Sequence, residues 1–155
     1  MKKTIALLLV LLAITSCTQD IKFNNPAVQG LKDGVLWRAN DSFGTLNGTS
    51  ALTLVAATQF ETLTLKTTSA TPGTYVLGTS DSKKATFNDK KDGGNVTYQT
   101  SINVGDGEII ITEFDQEART VSGTFRFNAK NTVATPQGSA DLNFQEGVFY
   151  KVPIR

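Results

Sequence analysis

Most of the chain alternates hydrophobic and polar residues with the two-residue period of a β-strand. The clearest run lies between Thr120 and Ala129, where Val121, Phe125 and Phe127 are separated by polar residues. Successive side chains of a strand point to opposite faces, so this pattern predicts strands with one buried face. Shorter runs of the same kind occur at Leu52–Ala56, Thr62–Lys66, Tyr75–Leu77, Val96–Thr100, Leu142–Phe144 and Val148–Ile154.

The spacing of these runs predicts an all-β fold. Turn residues separate them, and the chain contains 22 threonines, a residue type favoured in strands. No window of 11 residues after position 17 has helical spacing. Because the strands are short and unevenly spaced, we predict an antiparallel β-sandwich, with a lipocalin-like up-and-down barrel as the alternative. Residues 35–155 are predicted to form this single β domain.

Three details of the pattern make finer predictions. The continuous triplet Ile109–Ile111 is typical of a strand buried on both faces. Trp37, the only tryptophan, lies on an early alternating strand and is predicted to be in the core. Glycine precedes an aromatic residue by two positions at Gly73, Gly123 and Gly147, and each is interpreted as the start of a strand.

The amino-terminal segment has the pattern of an export signal. Met1-Lys2-Lys3 is followed by ten apolar residues, Ile5–Ile14. Ten residues cannot span a hydrocarbon core, which needs about 20, whereas a short apolar run behind positive charge is typical of a secretory signal. The next residues, Ile14-Thr15-Ser16-Cys17, resemble the lipobox of bacterial lipoproteins. We therefore predict a lipoprotein signal peptide over residues 1–16 and lipid attachment at Cys17.

Lipidation also explains why the chain has a single cysteine. In this class the Cys17 thiol receives a diacylglyceryl group, with palmitate-type chains, and two or three such chains hold a protein stably on a membrane. The alternative is an ordinary secretory signal that leaves Cys17 as a spare thiol. Residues 17–34 are predicted to be the lipidated cysteine and a tether, although Ala27–Leu31 fits a first short strand as well.

Composition and charge restrict the function more than any motif does. The chain of 155 residues has no histidine and a formal net charge of +1. Loss of Lys2 and Lys3 with the signal leaves 13 basic and 14 acidic residues, a net charge of −1. This balance argues against nucleic acid as a partner. Without histidine, the usual bases for nucleophilic catalysis and the usual soft-metal ligands are missing.

The remaining candidates for chemistry fit turns better than sites. Asp89, Asp92 and Asn95 surround two glycines and offer oxygens for calcium, but their spacing is that of a hairpin turn. The paired carboxylates Glu113 and Asp115 would suit glycoside hydrolysis, but they adjoin a polar hairpin loop. A catalytic pair of Ser82 with Lys83 or Lys84 is also conceivable, but these residues are equally typical of a polar loop. We predict no catalytic residue, no metal site and no cofactor, and therefore a protein that is not an enzyme.

Several segments in a fixed order resemble one family. Together with the lipobox, they are similar to small β-rich lipoproteins of Bacteroidota that are classed as a domain of unknown function. The segments are Gly34–Ala39, Pro72–Tyr75, Gly107–Thr112, Val121–Phe127 and Gly147–Phe149. The resemblance implies an outer-membrane lipoprotein and carries over no catalytic or binding residues.

The expected function is that of a non-enzymatic binding or accessory module of the cell envelope. Its expected partners are the membrane, through the lipid on Cys17, and an envelope protein or glycan. The periplasmic face and the cell surface are both open as locations. The alternative function is a carrier of a small apolar ligand, which requires a β-barrel with an interior cavity.

Overall fold

The described part of the chain folds into eleven β-strands. The computed structural model describes residues 27–91, 94–133 and 138–155, and all pairs of named strands within them are antiparallel. The strands are β1 Val28–Lys32, β2 Val35–Arg38, β3 Asp41–Leu46, β4 Leu52–Ala57, β5 Glu61–Lys66, β6 Gly73–Leu77, β7 Lys84–Asp89, β8 Val96–Gln99, β9 Asp106–Asp115, β10 Thr120–Asn131 and β11 Asp141–Pro153.

All eleven strands belong to one curled sheet, which confirms the prediction of an antiparallel all-β fold. The main order is β2-β1-β11-β10-β8-β7-β5-β4-β3. Strand β10 divides the sheet, because its residues 120–128 pair with β9 and only Lys130 and Asn131 pair with β8. The sheet curls until β3 reaches the end of β11, where Arg155 N–H donates to the Gly44 carbonyl at 2.9 Å. The result is a half-barrel, consistent with a sandwich or a barrel-like fold.

Aromatic rings fill the concave side of the sheet. Phe125, Phe127, Phe144 and Phe149 are buried and contact one another at centroid distances of 5.3 to 6.5 Å. Trp37 is only 5% exposed and meets Phe144 edge-on at 5.6 Å, so its predicted place in the core is confirmed. Such contacts add about 0.5–1.5 kcal/mol per pair to the burial of the rings.

The prediction that Gly123 and Gly147 start strands is wrong. Gly73 does begin β6, but Gly123 lies inside β10 and Gly147 inside β11. A Cβ atom at Gly123 would overlap the Ile110 carbonyl oxygen and the Phe149 ring, and one at Gly147 would overlap the Phe125 ring. These two glycines therefore make room for large rings within a tightly curved sheet.

The ordered domain includes residues that the sequence pattern assigned to the tether. Strand β1 pairs with β2 on one side and β11 on the other, and Val28 is fully buried. The domain therefore begins by Val28 instead of Val35, which matches the alternative of a first strand near Ala27–Leu31. The predicted signal peptide and Cys17 lie outside the described residues. In the part that is described, no helix is long and apolar enough to cross a membrane.

Candidate functional site

A polar groove lies where three parts of the chain meet at one end of the sheet. It has a volume of about 500 Å³. The loop between β3 and β4 supplies Asn47 and Thr49, and the loop before β7 supplies Asp81. Lys66 ends β5, and Thr68 lies two residues beyond it. These five side chains are exposed. Binding residues commonly occur on loops that a rigid scaffold holds in place, as here.

Asn47 fixes the shape of the first loop. Its Oδ1 accepts hydrogen bonds from Thr49 N–H at 3.0 Å, Thr49 Oγ1 at 2.8 Å and Ala51 N–H at 2.9 Å. Ser50 has a φ of 63°, a left-handed conformation that this bonding helps to hold. The wall of the groove is thereby ordered before any ligand binds.

Charged groups of both signs line the groove. Asp81 accepts a hydrogen bond from Ser101 Oγ at 2.6 Å and pairs with Lys84 at 3.3 Å. The Ser101 hydroxyl and then the Lys84 ammonium lower the pKa of Asp81, so that it is ionised at neutral pH. Lys66 makes no ion pair with any other described residue. The groove can therefore donate and accept hydrogen bonds, which suits a ligand rich in hydroxyl groups.

A second cluster of charges surrounds the buried Glu61, at the opposite end of β5 from Lys66. Glu61, the first residue of β5, has a side chain only 4% exposed. Its carboxylate pairs with Lys32 and, at 3.0 Å, with Lys91, and it accepts a hydrogen bond from Trp37 Nε1 at 2.9 Å. Lys32 also lies 3.7 Å from Asp89. These contacts connect the β1–β2 hairpin to β5 and to the end of β7.

The surroundings of Glu61 hold it in the ionised form. Burial raises the pKa of this carboxyl, but the hydrogen bonds from Lys32, Lys91 and Trp37 together outweigh burial and lower it from its ordinary value of 4.5. No buried side-chain oxygen or nitrogen among the described residues lacks a partner. The cluster is therefore a closed ionic contact that stabilises the curl of the sheet.

A third feature is an apolar groove on the convex face, with a volume of about 380 Å³. Ile110, Thr124 and Val148 form its floor on the adjacent strands β9, β10 and β11. The Glu108–Arg126 ion pair, at 3.0 Å, lies along it. Ile109 and Ile111 are buried, but Ile110 is only half-buried, so the predicted burial on both faces is wrong for this position.

The residues considered from sequence as sites are dispersed. Asp89 joins the Glu61 cluster, whereas Asn95 lies in the exposed loop before β8 and Asp92 is outside the described residues. Asp115 accepts backbone N–H groups of Glu117 and Ala118, as expected for a hairpin turn. Across the described ranges, no group of three or more His, Cys, Asp or Glu residues is placed to hold a metal ion.

Sequence reasoning missed both the polar groove and Glu61. The groove combines loops from positions 47, 66 and 81, and no local motif connects them. Glu61 stands 29 and 30 residues from its two lysines and resembles any polar residue at the start of a strand. The alternation of β5 could have predicted the burial of Glu61, because Glu61 lies on the same face of the strand as Leu63 and Leu65.

Comparison with protein families confirms that the chain resembles a domain of unknown function. The model of the Domain of unknown function (DUF6252) matches residues 24–153. The chain belongs to this family. The match covers all eleven strands and begins before β1, in agreement with a domain that starts before Val35. No curated protein and no solved structure matches the chain at a significant level.

Proposed function

We propose that this chain is a lipid-anchored outer-membrane protein whose β domain binds a glycan of the cell envelope without catalysing a reaction. The observation that carries the binding function is the polar groove between Asn47, Lys66 and Asp81. The lipobox Ile14–Cys17 supports the anchor, and acyl chains on Cys17 would keep the domain at the membrane.

The chemistry of the groove supports a glycan as the ligand. Threonine and serine hydroxyls, the Asn47 amide, the Lys66 ammonium and the Asp81 carboxylate together donate and accept hydrogen bonds. A sugar presents hydrogen-bond donors and acceptors around its ring. A site that pairs with both kinds of group replaces more of the hydrogen bonds that the sugar makes to water. The ordered loop at Asn47 limits the conformational entropy that binding would cost.

The packed core favours surface binding over a carrier function. A carrier would hold an apolar ligand on the concave side, where Phe125, Phe127, Phe144 and Phe149 now contact one another. Opening a cavity there would separate these rings and lose their packing energy. The polar groove requires no such rearrangement.

Titration calorimetry with two glycan probes tests this function. The probes are soluble peptidoglycan fragments and the core oligosaccharide of lipopolysaccharide, each added to the detergent-solubilised lipoprotein. We expect one probe to bind, and a Lys66→Ala, Thr68→Ala double variant to bind it about ten-fold more weakly, since two hydrogen-bonding groups are lost.

Thr62→Ala provides the matched control, because Thr62 lies on the same strand as Lys66 but outside the groove. It should leave the affinity unchanged. The proposal is contradicted if neither probe binds the folded protein, or if the double variant and the control bind equally well.

A further inference from the structure

The point where the tether enters the domain is fixed by strand pairing. Ala27 immediately precedes β1, and its carbonyl accepts the backbone N–H of Tyr150 at 2.8 Å. Ten peptide steps separate Cys17 from Ala27. At no more than about 3.3–3.6 Å per residue, this connection spans at most about 35 Å. A lipid on Cys17 would therefore keep this end of the domain within about 35 Å of the membrane surface.

The convex face beside this entry point carries exposed apolar side chains. Strand register places Val148 opposite Gln29 on β1 and Thr124 on β10. Gln29 also pairs with Arg38 on β2, so Leu36, two residues before Arg38, lies on the same face. Tyr150 lies two residues beyond Val148. Leu36, Val148 and Tyr150 are 56%, 39% and 40% exposed.

The apolar groove continues this surface across the sheet. Its floor runs from Val148 through Thr124 to Ile110. Val76 of β6 adds another exposed apolar residue beyond the Glu108–Arg126 pair. The convex face of this half of the sheet is therefore unusually apolar for a surface that would otherwise meet water.

Positive charge lies at the same end of the face as the tether. Arg38 is exposed on β2, and the Lys151 ammonium lies 5.4 Å above the Tyr150 ring. The carboxylate of Glu108 is paired with Arg126, and Glu146 lies on the side of Val148 away from Tyr150. Tyrosine beside basic residues is typical of protein surfaces at the headgroup level of a bilayer.

From the position of the tether and the character of this face, we infer that the domain rests on the bilayer through the convex surface of β1, β2 and β11. Leu36, Val148 and Tyr150 reach the boundary between headgroups and acyl chains, and Arg38 and Lys151 contact lipid phosphates. This inference rests on the proposed lipid anchor. It gives the domain a fixed orientation, in which the convex face is covered by lipid.

Depth-dependent fluorescence quenching tests this orientation. Lipidation would consume the thiol of Cys17, so an engineered cysteine would be the only free thiol of the mature chain. Val148→Cys, and Thr64→Cys on β5 as the matched control, are labelled with an environment-sensitive fluorophore. The full lipoprotein is then reconstituted into vesicles of phosphatidylethanolamine and phosphatidylglycerol in a 3:1 ratio. We expect a headgroup nitroxide lipid to quench the label at 148 at least three-fold more than the label at 64.

Charge reversal provides the second readout. Arg38→Glu with Lys151→Glu should reduce quenching at position 148 at least two-fold, because two attractions to anionic lipid become repulsions. Lys90→Glu with Lys83→Glu, the same charge change away from the proposed surface, should leave it unchanged. Equal quenching at positions 148 and 64 would overturn the inference. Quenching at position 148 that falls as the protein density in the vesicles rises would also overturn it, because it would indicate that a second copy of the chain covers this face.

Flotation separates this inference from the anchor on which it rests. Protein that floats with the vesicles but shows equal quenching at both positions retains its anchor and lacks the proposed orientation. Protein that stays at the bottom of the gradient and carries no acyl mass overturns both proposals.

Discussion

At the scale of single residues, we expect Glu61 to contribute more to the stability of the curled sheet than other charged side chains do. It is buried, yet it is charged, and three of its hydrogen-bonding partners come from β1, β2 and the segment after β7. Leaving buried charges without a partner costs more than the ion pair itself contributes. Glu61 is therefore expected to stabilise the curl of the sheet, and its removal should also weaken the packing of β1 and β2 against β5.

Glu61→Gln should lower the free energy of unfolding by about 2 kcal/mol, because Lys32 and Lys91 would lose their carboxylate. Urea unfolding followed by Trp37 fluorescence measures this loss, and Trp37 reports directly because it donates to Glu61. Glu113→Gln is the matched control, since Glu113 is exposed, and it should change stability by less than about 0.5 kcal/mol. Equal effects of the two variants would contradict the role given to Glu61.

The same pair of proteins should show a defined pH dependence. Because the pKa of Glu61 is lowered in the folded state, its contribution is present above pH 4.5 and is lost as pH falls through the lowered value. The stability difference between the wild type and Glu61→Gln should therefore be constant from pH 7 to pH 5 and shrink below pH 4.5. A difference that grows in acid would have the wrong sign.

At the scale of elements, β10 and β11 determine the shape of the domain. Both are long, and their pairing shifts register between Val121 and Gly123 and between Phe125 and Phe127. At each shift β11 has an extra residue with left-handed φ, Glu146 at 51° and Lys151 at 48°. Such bulges increase strand twist and bend the sheet. The curl therefore comes from irregularities in the pattern, and regular alternation alone would not produce it.

Gly123→Ala should destabilise the protein by about 1–3 kcal/mol, because the added methyl group meets both the Ile110 carbonyl and the Phe149 ring. Gly48→Ala is the matched control, since a Cβ there would meet no atom within 4 Å. Thermal unfolding of the two variants compares them under identical conditions. If Gly123→Ala unfolds at the wild-type temperature, the close approach of β9, β10 and Phe149 is not a constraint.

The elements also show what could be predicted from sequence. Alternation correctly located the strands around Val121–Ala129 and Leu142–Ile154, because each buries one face. The bulges were not predictable, since Glu146 and Lys151 are ordinary polar residues whose left-handed conformation is imposed by pairing on both sides. The sequence pattern places β1 in the tether because Asn24-Asn25-Pro26, a segment typical of a turn, comes directly before it.

At the scale of the whole molecule, the candidate sites depend on topology. The polar groove requires loops from three strand connections to meet, and the Glu61 cluster requires the sheet to curl. Neither follows from local periodicity, which specifies the faces of a strand and not its neighbours. Composition carries other information: the lack of histidine and the position of Cys17 favour binding and anchoring as the expected functions.

The proposed arrangement gives the two principal surfaces different partners. The convex face near Ala27 is apolar and basic and is assigned to lipid, whereas the groove at Asn47 and Asp81 is polar and is assigned to a glycan. Both assignments depend on attachment of the protein to a membrane through a lipid on Cys17.

The most direct test is to compare wild type with Cys17→Ala by membrane fractionation and intact mass. We expect wild-type protein in the outer-membrane fraction, beginning at Cys17 and carrying acyl chains, because two or three chains bind stably. Cys17→Ala should leave that fraction and carry no acyl mass, while the wild type stays bound in high salt. Unchanged fractionation of Cys17→Ala, or a wild-type chain with a free Cys17 thiol, would show that no lipid on Cys17 holds the domain at the membrane.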